Sequence, residues 1–387
     1  MRTTTRWTAV ALAAAGIMAS CTRAGTSAAP GPVSPSPQTP SRVRVAFVQD
    51  RSEDEAETAV APAFQAASLA FASAALHGGA FEVELVPFDT GGVPERAAEI
   101  ASEIASDDSV VAAIGAPYLD GQAALGDAFD AAGVPWLSLS SRGTGLGERG
   151  WIAWRRLVAD ETEEGAALAS LADLLPASRR GVCLLGDDSS ASRGLTPAVL
   201  GSIGSDVVLR ATWPAVGAAS RVAEAGCGAV LWTGGALDGA ELRLELVAAG
   251  MRDVAFAGGD AMKPDEYLDA VGRAGEGTVV VCPCVDLSTS TTLPARRFIQ
   301  DYQAEYGVPP GPFAAEAWDA AGMLLDALRS GASTRPAMAA AIEGVSSFEG
   351  LAAAYGFTSG GELTSETATV RRYLDEGGRW IEVTVGP

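Results

Sequence analysis

From residue 42 onward, short unbroken apolar runs alternate with longer segments whose apolar positions recur at helical spacing. That alternation predicts an α/β protein built on parallel sheets. Strands are predicted over 42–49 and 81–87, and helices over 56–76 and 93–106. Asp107-Asp-Ser-Val-Val-Ala-Ala-Ile-Gly-Ala-Pro117 predicts a buried strand ending at Gly115, followed by a helix over about 121–132. Ala132-Gly-Val-Pro-Trp-Leu-Ser-Leu-Ser-Ser-Arg142 predicts a further strand that closes on a serine cluster. Both strand ends then open on one edge of a parallel sheet, the edge where open α/β sheets bind small ligands.

A second series follows. A short apolar segment at 151–157 leads to a predicted helix over 161–175, a strand over 181–186 and a loop that turns helical within 187–200. Strands are predicted over 206–212, 229–233, 254–257 and 277–282, with a helix over 237–249. From 293 helices dominate, over 293–306, 313–330 and 335–344. Short paired β segments close the chain at 355–357, 368–373 and 380–385, with Glu376-Gly377-Gly378 as a hairpin turn. The pattern suits two α/β lobes of similar build, each completed by a returning C-terminal segment.

The N-terminus has a different character. Arg2 and Arg6 precede an apolar run at 8–17, and Met18-Ala19-Ser20 then leads into Cys21. The run is too short for a comfortable membrane span. Cys21 after small residues resembles a bacterial lipobox, which implies lipidation at Cys21; plain secretion with cleavage near Cys21 is the alternative. Residues 1–21 are then a signal peptide, and the Pro-, Ser- and Ala-rich stretch 22–41 an extended tether. The expected location is extracytoplasmic, lipid-anchored to the cell membrane.

Composition narrows the function. Hydrophobic residues make up 48% of the chain and charged ones 19%, which excludes a disordered protein. A net charge of −21 with Lys263 as the only lysine argues against nucleic acid as a partner. Cys183 opens one predicted strand and Cys227 precedes the next but one, so the two are candidates for a disulfide. Cys282-Pro-Cys284 suits a small ring, a metal fragment or two buried thiols. The single histidine, His77, and the absence of a second CxxC argue against zinc. There is no phosphate loop and no GxGxxG after a strand. No catalytic set, metal or cofactor is expected.

Taken in order, these segments resemble the type I periplasmic-binding-protein family, in particular the leucine/isoleucine/valine-binding proteins of ABC importers. The resemblance is carried by Phe88-Asp89-Thr90 with Pro94-Glu-Arg-Ala-Ala-Glu, by Asp108-Ser-Val-Val-Ala-Ala-Ile-Gly-Ala-Pro117, and by Gly133-Val-Pro-Trp-Leu-Ser-Leu-Ser-Ser141. Arg155-Arg-Leu-Val-Ala-Asp160, Ala257-Gly-Gly-Asp260 and Ala315-Glu-Ala-Trp-Asp-Ala320 extend it. It implies two Rossmann-like lobes joined by three hinge crossings, with lobe one at 42–159 plus 286–345 and lobe two at 160–285 plus 346–387. Ligand would bind between the lobes and draw them together.

The resemblance also implies site residues. Ser140 and Ser141 match a contact pair for the ligand, and Asp260 stands where relatives present a carboxylate to the ligand ammonium; a turn cap is the other reading of Asp260. Asp120 occupies a helix start where relatives carry serine, and is either the N-cap or a ligand contact. Arg142 falls where a threonine is common, either as a bidentate carboxylate contact or as a solvated loop residue. Ser192 stands where a cleft tyrosine is frequent. The implied ligand is an amino acid, branched-chain or a related small polar solute, passed to an ABC permease and ATPase without catalysis. The alternative is a ligand-sensing or cell-wall regulatory lipoprotein that uses the same clamp without transport.

Overall fold

The computed structural model describes residues 41–50, 56–76, 81–91, 93, 95–115, 121–139, 143–174, 181–203, 207–214 and 217–383. Five strands form the first sheet: β1 (Ser41–Gln49), β2 (Phe81–Asp89), β3 (Val110–Gly115), β4 (Trp136–Ser138) and β5 (Trp154–Arg156). Their order is β2-β1-β3-β4-β5, and every pairing is parallel. β3 is buried at each of its residues, as a strand covered on both faces must be, which explains its continuous apolar run.

Helices cover this sheet: α1 (Ala56–Leu76), α2 (Glu95–Ser106) and α3 (Gln122–Ala132). On α2 the buried residues are Ala97, Ile100, Ala101 and Ile104, one stripe at helical spacing. α3 stops at Gly133, which takes φ 65°, a left-handed conformation that favours glycine; its N–H bonds to the Asp130 carbonyl.

The second sheet draws on β6 (Val182–Gly186), β7 (Val207–Thr212), β8 (Ala229–Trp232), β9 (Ala255–Gly258), β10 (Val279–Cys282), β13 (Arg371–Asp375) and β14 (Trp380–Glu382). The order is β14-β13-β10-β9-β8-β6-β7. β6 to β10 run parallel, and the β13–β14 hairpin adds antiparallel to β10. Its turn places Gly377 and Gly378 at positive φ, as the Glu376-Gly377-Gly378 sequence predicts. Around the sheet lie α4 (Glu161–Leu174), α5 (Ser190–Ile203), α6 (Ala218–Glu224), α7 (Ala236–Ala248) and α8 (Asp265–Val271). Sequence periodicity passes over α6 and α8, because seven residues show too little of a 3.6-residue period.

After β10 the chain returns to the first sheet as α9 (Leu293–Tyr306), α10 (Ala314–Arg329) and α11 (Arg335–Glu343), with α10 against α1. It then forms a two-stranded hairpin, β11 (Ser347–Glu349) and β12 (Ala354–Gly356), before β13. Tyr355 of that hairpin donates its hydroxyl to Asp319 of α10 at 2.9 Å. The hairpin is therefore bonded to the helix layer of the first sheet, whereas an expected boundary at 346 would assign it to the second lobe. The chain passes between the sheets three times: after β5, after β10 and after β12. Cys183 is bonded to Cys227, and Cys282 to Cys284 as a small ring at the start of the second crossing.

Candidate ligand-binding site

Both sheets present strand carboxyl ends near the first crossing. Gly115 and Ser138 pair at the end of β3 and β4, and Ser138 is buried. Gly115 leaves space that a larger residue would deny: a Cβ there would stand 2.7 Å from Trp136 Nε1. Only Leu157 to Asp160 separate β5 from α4. Four extended residues span at most about 14 Å, so α4 starts close to the carboxyl edge of the first sheet. The same helix reaches the carboxyl edge of the second, because Glu164 Oε1 accepts the Asp260 backbone N–H at 2.7 Å just beyond β9.

The sequence-derived residues divide accordingly. Asp120, Ser140, Ser141 and Arg142 lie outside the described residues, as do Cys21 and the tether. The N-cap position of α3 belongs to Gly121, at φ 72°, and not to Asp120. Asp260 and Ser192 are described and both stand at the carboxyl edge of the second sheet. Asp260 is 4% exposed and opens a 3-10 turn, Asp260–Met262, without a side-chain cap at Gly259.

Ser192, the residue standing where the resemblance puts a cleft tyrosine, follows the loop after β6. It sits in the first turn of α5, buried, with its hydroxyl 3.0 Å from that of Thr233, which lies 2.7 Å from the Thr196 hydroxyl. Beside it, Asp187 accepts the backbone N–H groups of Ser189 at 3.0 Å and Gly235 at 2.7 Å. That carboxylate ties the loop after β6 to the start of α7, and Ser192 completes a rigid internal network.

The start of α4 is strongly acidic. Asp160 Oδ1 accepts the N–H groups of Thr162 and Glu163, and Glu163 Oε2 accepts that of Asp160 at 2.8 Å. This reciprocal arrangement is a capping box, with the carboxylates also favoured by the helix dipole. Burial, aided by Asp160, pushes Glu163 up to about 7. Glu164 is driven well above the ordinary carboxyl range by burial, then by the charges of Asp260 and Glu161. In the sequence this acidic run marks only the start of the predicted helix over 161–175.

The crossings are fastened to one another. Arg156 is buried, lies 2.7 Å from Glu362 through Nε, and donates from Nη2 to the Gly143 carbonyl at 2.8 Å. Arg155 donates to the carbonyls of Glu343 and Val345, at the end of α11 and just beyond it. At the second crossing, Glu316 Oε1 accepts the Val285 N–H at 2.7 Å and the Tyr373 hydroxyl donates to the Cys284 carbonyl at 2.8 Å. Lys263 Nζ lies 3.4 Å from Asp286 and 4.5 Å from the Tyr373 ring centroid. A cavity of about 390 Å³ beside the first crossing is lined by Glu148, Asp160, Glu163 and Glu362 among others. No group of three or more metal-ligating side chains occurs among the described residues.

Two parallel-sheet lobes, crossed three times by the chain and meeting at their strand carboxyl ends, define a type I binding-protein clamp. The family model for periplasmic binding proteins matches residues 42–378, and the chain belongs to that family. The fold is shared with the branched-chain amino acid substrate-binding protein LivJ of Streptococcus pneumoniae, solved with isoleucine: TM-score 0.76, 18% identity, 88% of this chain and 99% of that one covered. A leucine-binding protein, LivK, of Thermotoga maritima matches at TM-score 0.75 and 21% identity, over 88% and 98% of the two chains. A solute-binding protein of R. palustris solved with benzoate matches at TM-score 0.71 and 17% identity, over 88% and 95%. No curated protein matches the sequence.

Proposed function

We propose that this chain is an extracytoplasmic solute-binding protein that captures an amino acid between its lobes and delivers it to an ABC permease and ATPase. The observation that carries the reading is Asp260, held at the carboxyl edge of the second sheet beside the crossing that joins it to the first. A carboxylate there favours a ligand bearing an ammonium group over a purely anionic one. Relatives of the same fold hold isoleucine in one case and benzoate in another. The acidic edge supports the former class for this chain. Ser140, Ser141 and Arg142, following β4, are proposed to receive the ligand carboxylate, with Asp120 at the neighbouring helix start.

Family membership supports the location outside the cytoplasm. Among the described residues no helix is long and apolar enough to cross a membrane. Membrane attachment through a lipid on Cys21, with 22–41 as tether, is the proposed anchor.

A thermal-shift panel of amino acids, amides, urea and small sugars tests the reading. A ligand at 100 times its dissociation constant stabilises by about 2.7 kcal/mol. Leucine, isoleucine or valine should raise Tm. A response to sugars alone, or to nothing in the panel, contradicts the assignment.

A further inference from the structure

Beside Asp260 lies a carboxyl group almost closed off from solvent. Glu164 lies in the first turns of α4, 1% exposed, and reaches the turn after β9. Its Oε1 accepts the Asp260 N–H, which sets the two carboxyl groups side by side, and the Asp260 charge bears on it. Glu161, one turn back on α4, bears on it as well. α5 faces this cluster with Gly194, whose missing side chain makes room for Glu161, and with apolar Leu195. Gly259 completes the enclosure, since a Cβ there would stand 3.0 Å from Glu164 Oε1.

We propose that Glu164 is the positioning residue for Asp260, and that the two carboxyl groups hold one proton between them, so that the pair meets a ligand as a single negative charge. The inference rests on the reading of Asp260 as the ammonium contact. Two carboxylates in contact in a buried site do not both ionise, because each raises the cost of charging the other. One oxygen of Glu164 is committed to a backbone N–H, which leaves the other to carry the proton toward Asp260. Asp260 is thereby kept ionised and fixed in direction while Glu164 stays neutral. The direction of the Glu164 shift agrees with this: burial and the Asp260 charge both favour its protonated form.

An approaching ammonium group changes the balance. Its positive charge stabilises the doubly ionised pair, so the shared proton leaves more easily from the liganded protein than from the free one. Affinity for a cationic ligand then rises with pH across the window in which Glu164 ionises. In Glu164→Gln the acceptor for the Asp260 N–H is kept, the titration is gone, and that rise should vanish.

The decisive experiment reads the proton without any ligand. Infrared spectra of the intact protein, wild type minus Glu164→Gln, should show a protonated-carboxyl band at neutral pH. In Asp260→Asn the same band should titrate away at lower pH than in wild type, because the neighbouring charge is gone. Absence of the band overturns the proposal. So does a band that titrates identically in Asp260→Asn, since burial alone would then hold the proton. Should Glu164→Gln not fold, the wild-type titration compared with Asp260→Asn decides by itself. A band that behaves as expected in a protein that binds no amino acid counts against the solute-binding reading and leaves the shared proton standing.

Discussion

Arg156, at the end of β5, is ion-paired with Glu362, which lies 206 residues further on in the third crossing, with Nε and Oε2 2.7 Å apart. The arginine is 1% exposed at its side chain and the glutamate 26%. Arg156 also donates its backbone N–H to the Gly361 carbonyl at 2.9 Å. The first and third crossings therefore move as one strap, and any closure of the lobes must bend both together.

Removing one partner of that pair should be costly, since it strands a buried charge. Breaking a buried pair costs about 3–5 kcal/mol, and the partial exposure of Glu362 puts Glu362→Gln nearer the lower end. Urea denaturation should show a lower midpoint with little change in slope. An unchanged midpoint would remove the strap from the account.

Gly259 tests packing at the acidic edge. Its φ of −83° suits any residue, so an alanine there is penalised by space alone. The added methyl overlaps the Leu195 side chain and presses on Glu164. Gly259→Ala should destabilise by about 1–3 kcal/mol and weaken ligand binding by displacing Asp260. Full stability with normal binding would show that the edge adapts.

Stability should fall as pH rises from about 5 to 8. Burial raises Glu316 to about 8 and Asp319 to about 6. The folded chain keeps these protons while the unfolded chain has released them, so the stabilisation is complete below the ordinary carboxyl range and is lost as pH climbs through the folded values. Each proton contributes a slope of at most about 1.4 kcal/mol per pH unit. Glu316→Gln keeps an acceptor for the Val285 N–H and should flatten the decline in Tm between pH 6 and 8. A decline as steep as in wild type would contradict the assignment.

The two disulfides should differ in worth. Cys183 and Cys227 are separated by 44 residues, Cys282 and Cys284 by 2. By chain entropy the long loop is worth about 4 kcal/mol and the short ring about 1.5 kcal/mol. Replacing Cys183 and Cys227 with alanine should therefore lower the urea midpoint further than replacing Cys282 and Cys284. The reverse order would assign the small ring a larger stabilising role than loop closure allows.

The main strands were legible because their apolar runs are unbroken: Val-Val-Ala-Ala-Ile-Gly at β3 is buried throughout and needs no partner to be recognised. The short helices α6 and α8 were not, and neither was β11, three residues long beyond a helix end. The site was legible only in its local pieces. Asp260 stands out after two glycines, but its bond to Glu164 spans 96 residues and leaves no local pattern. Asp187 reads as an ordinary loop acid, while its bond to Gly235 spans 48. Ser192 could be placed at a strand end, yet its inward hydroxyl depends on Thr233 and Thr196, which only the folded sheet brings near.

The central claim is that Asp260 recognises the ammonium group of an amino acid held between the lobes. Calorimetric titration of isoleucine into the intact protein, and into Asp260→Ala, tests it most directly. Losing one charge-assisted contact should weaken binding by about 10- to 100-fold or more. Saturable binding in wild type with that loss in Asp260→Ala is the predicted result. Equal affinity in the two proteins, or no heat of binding in wild type, would contradict it.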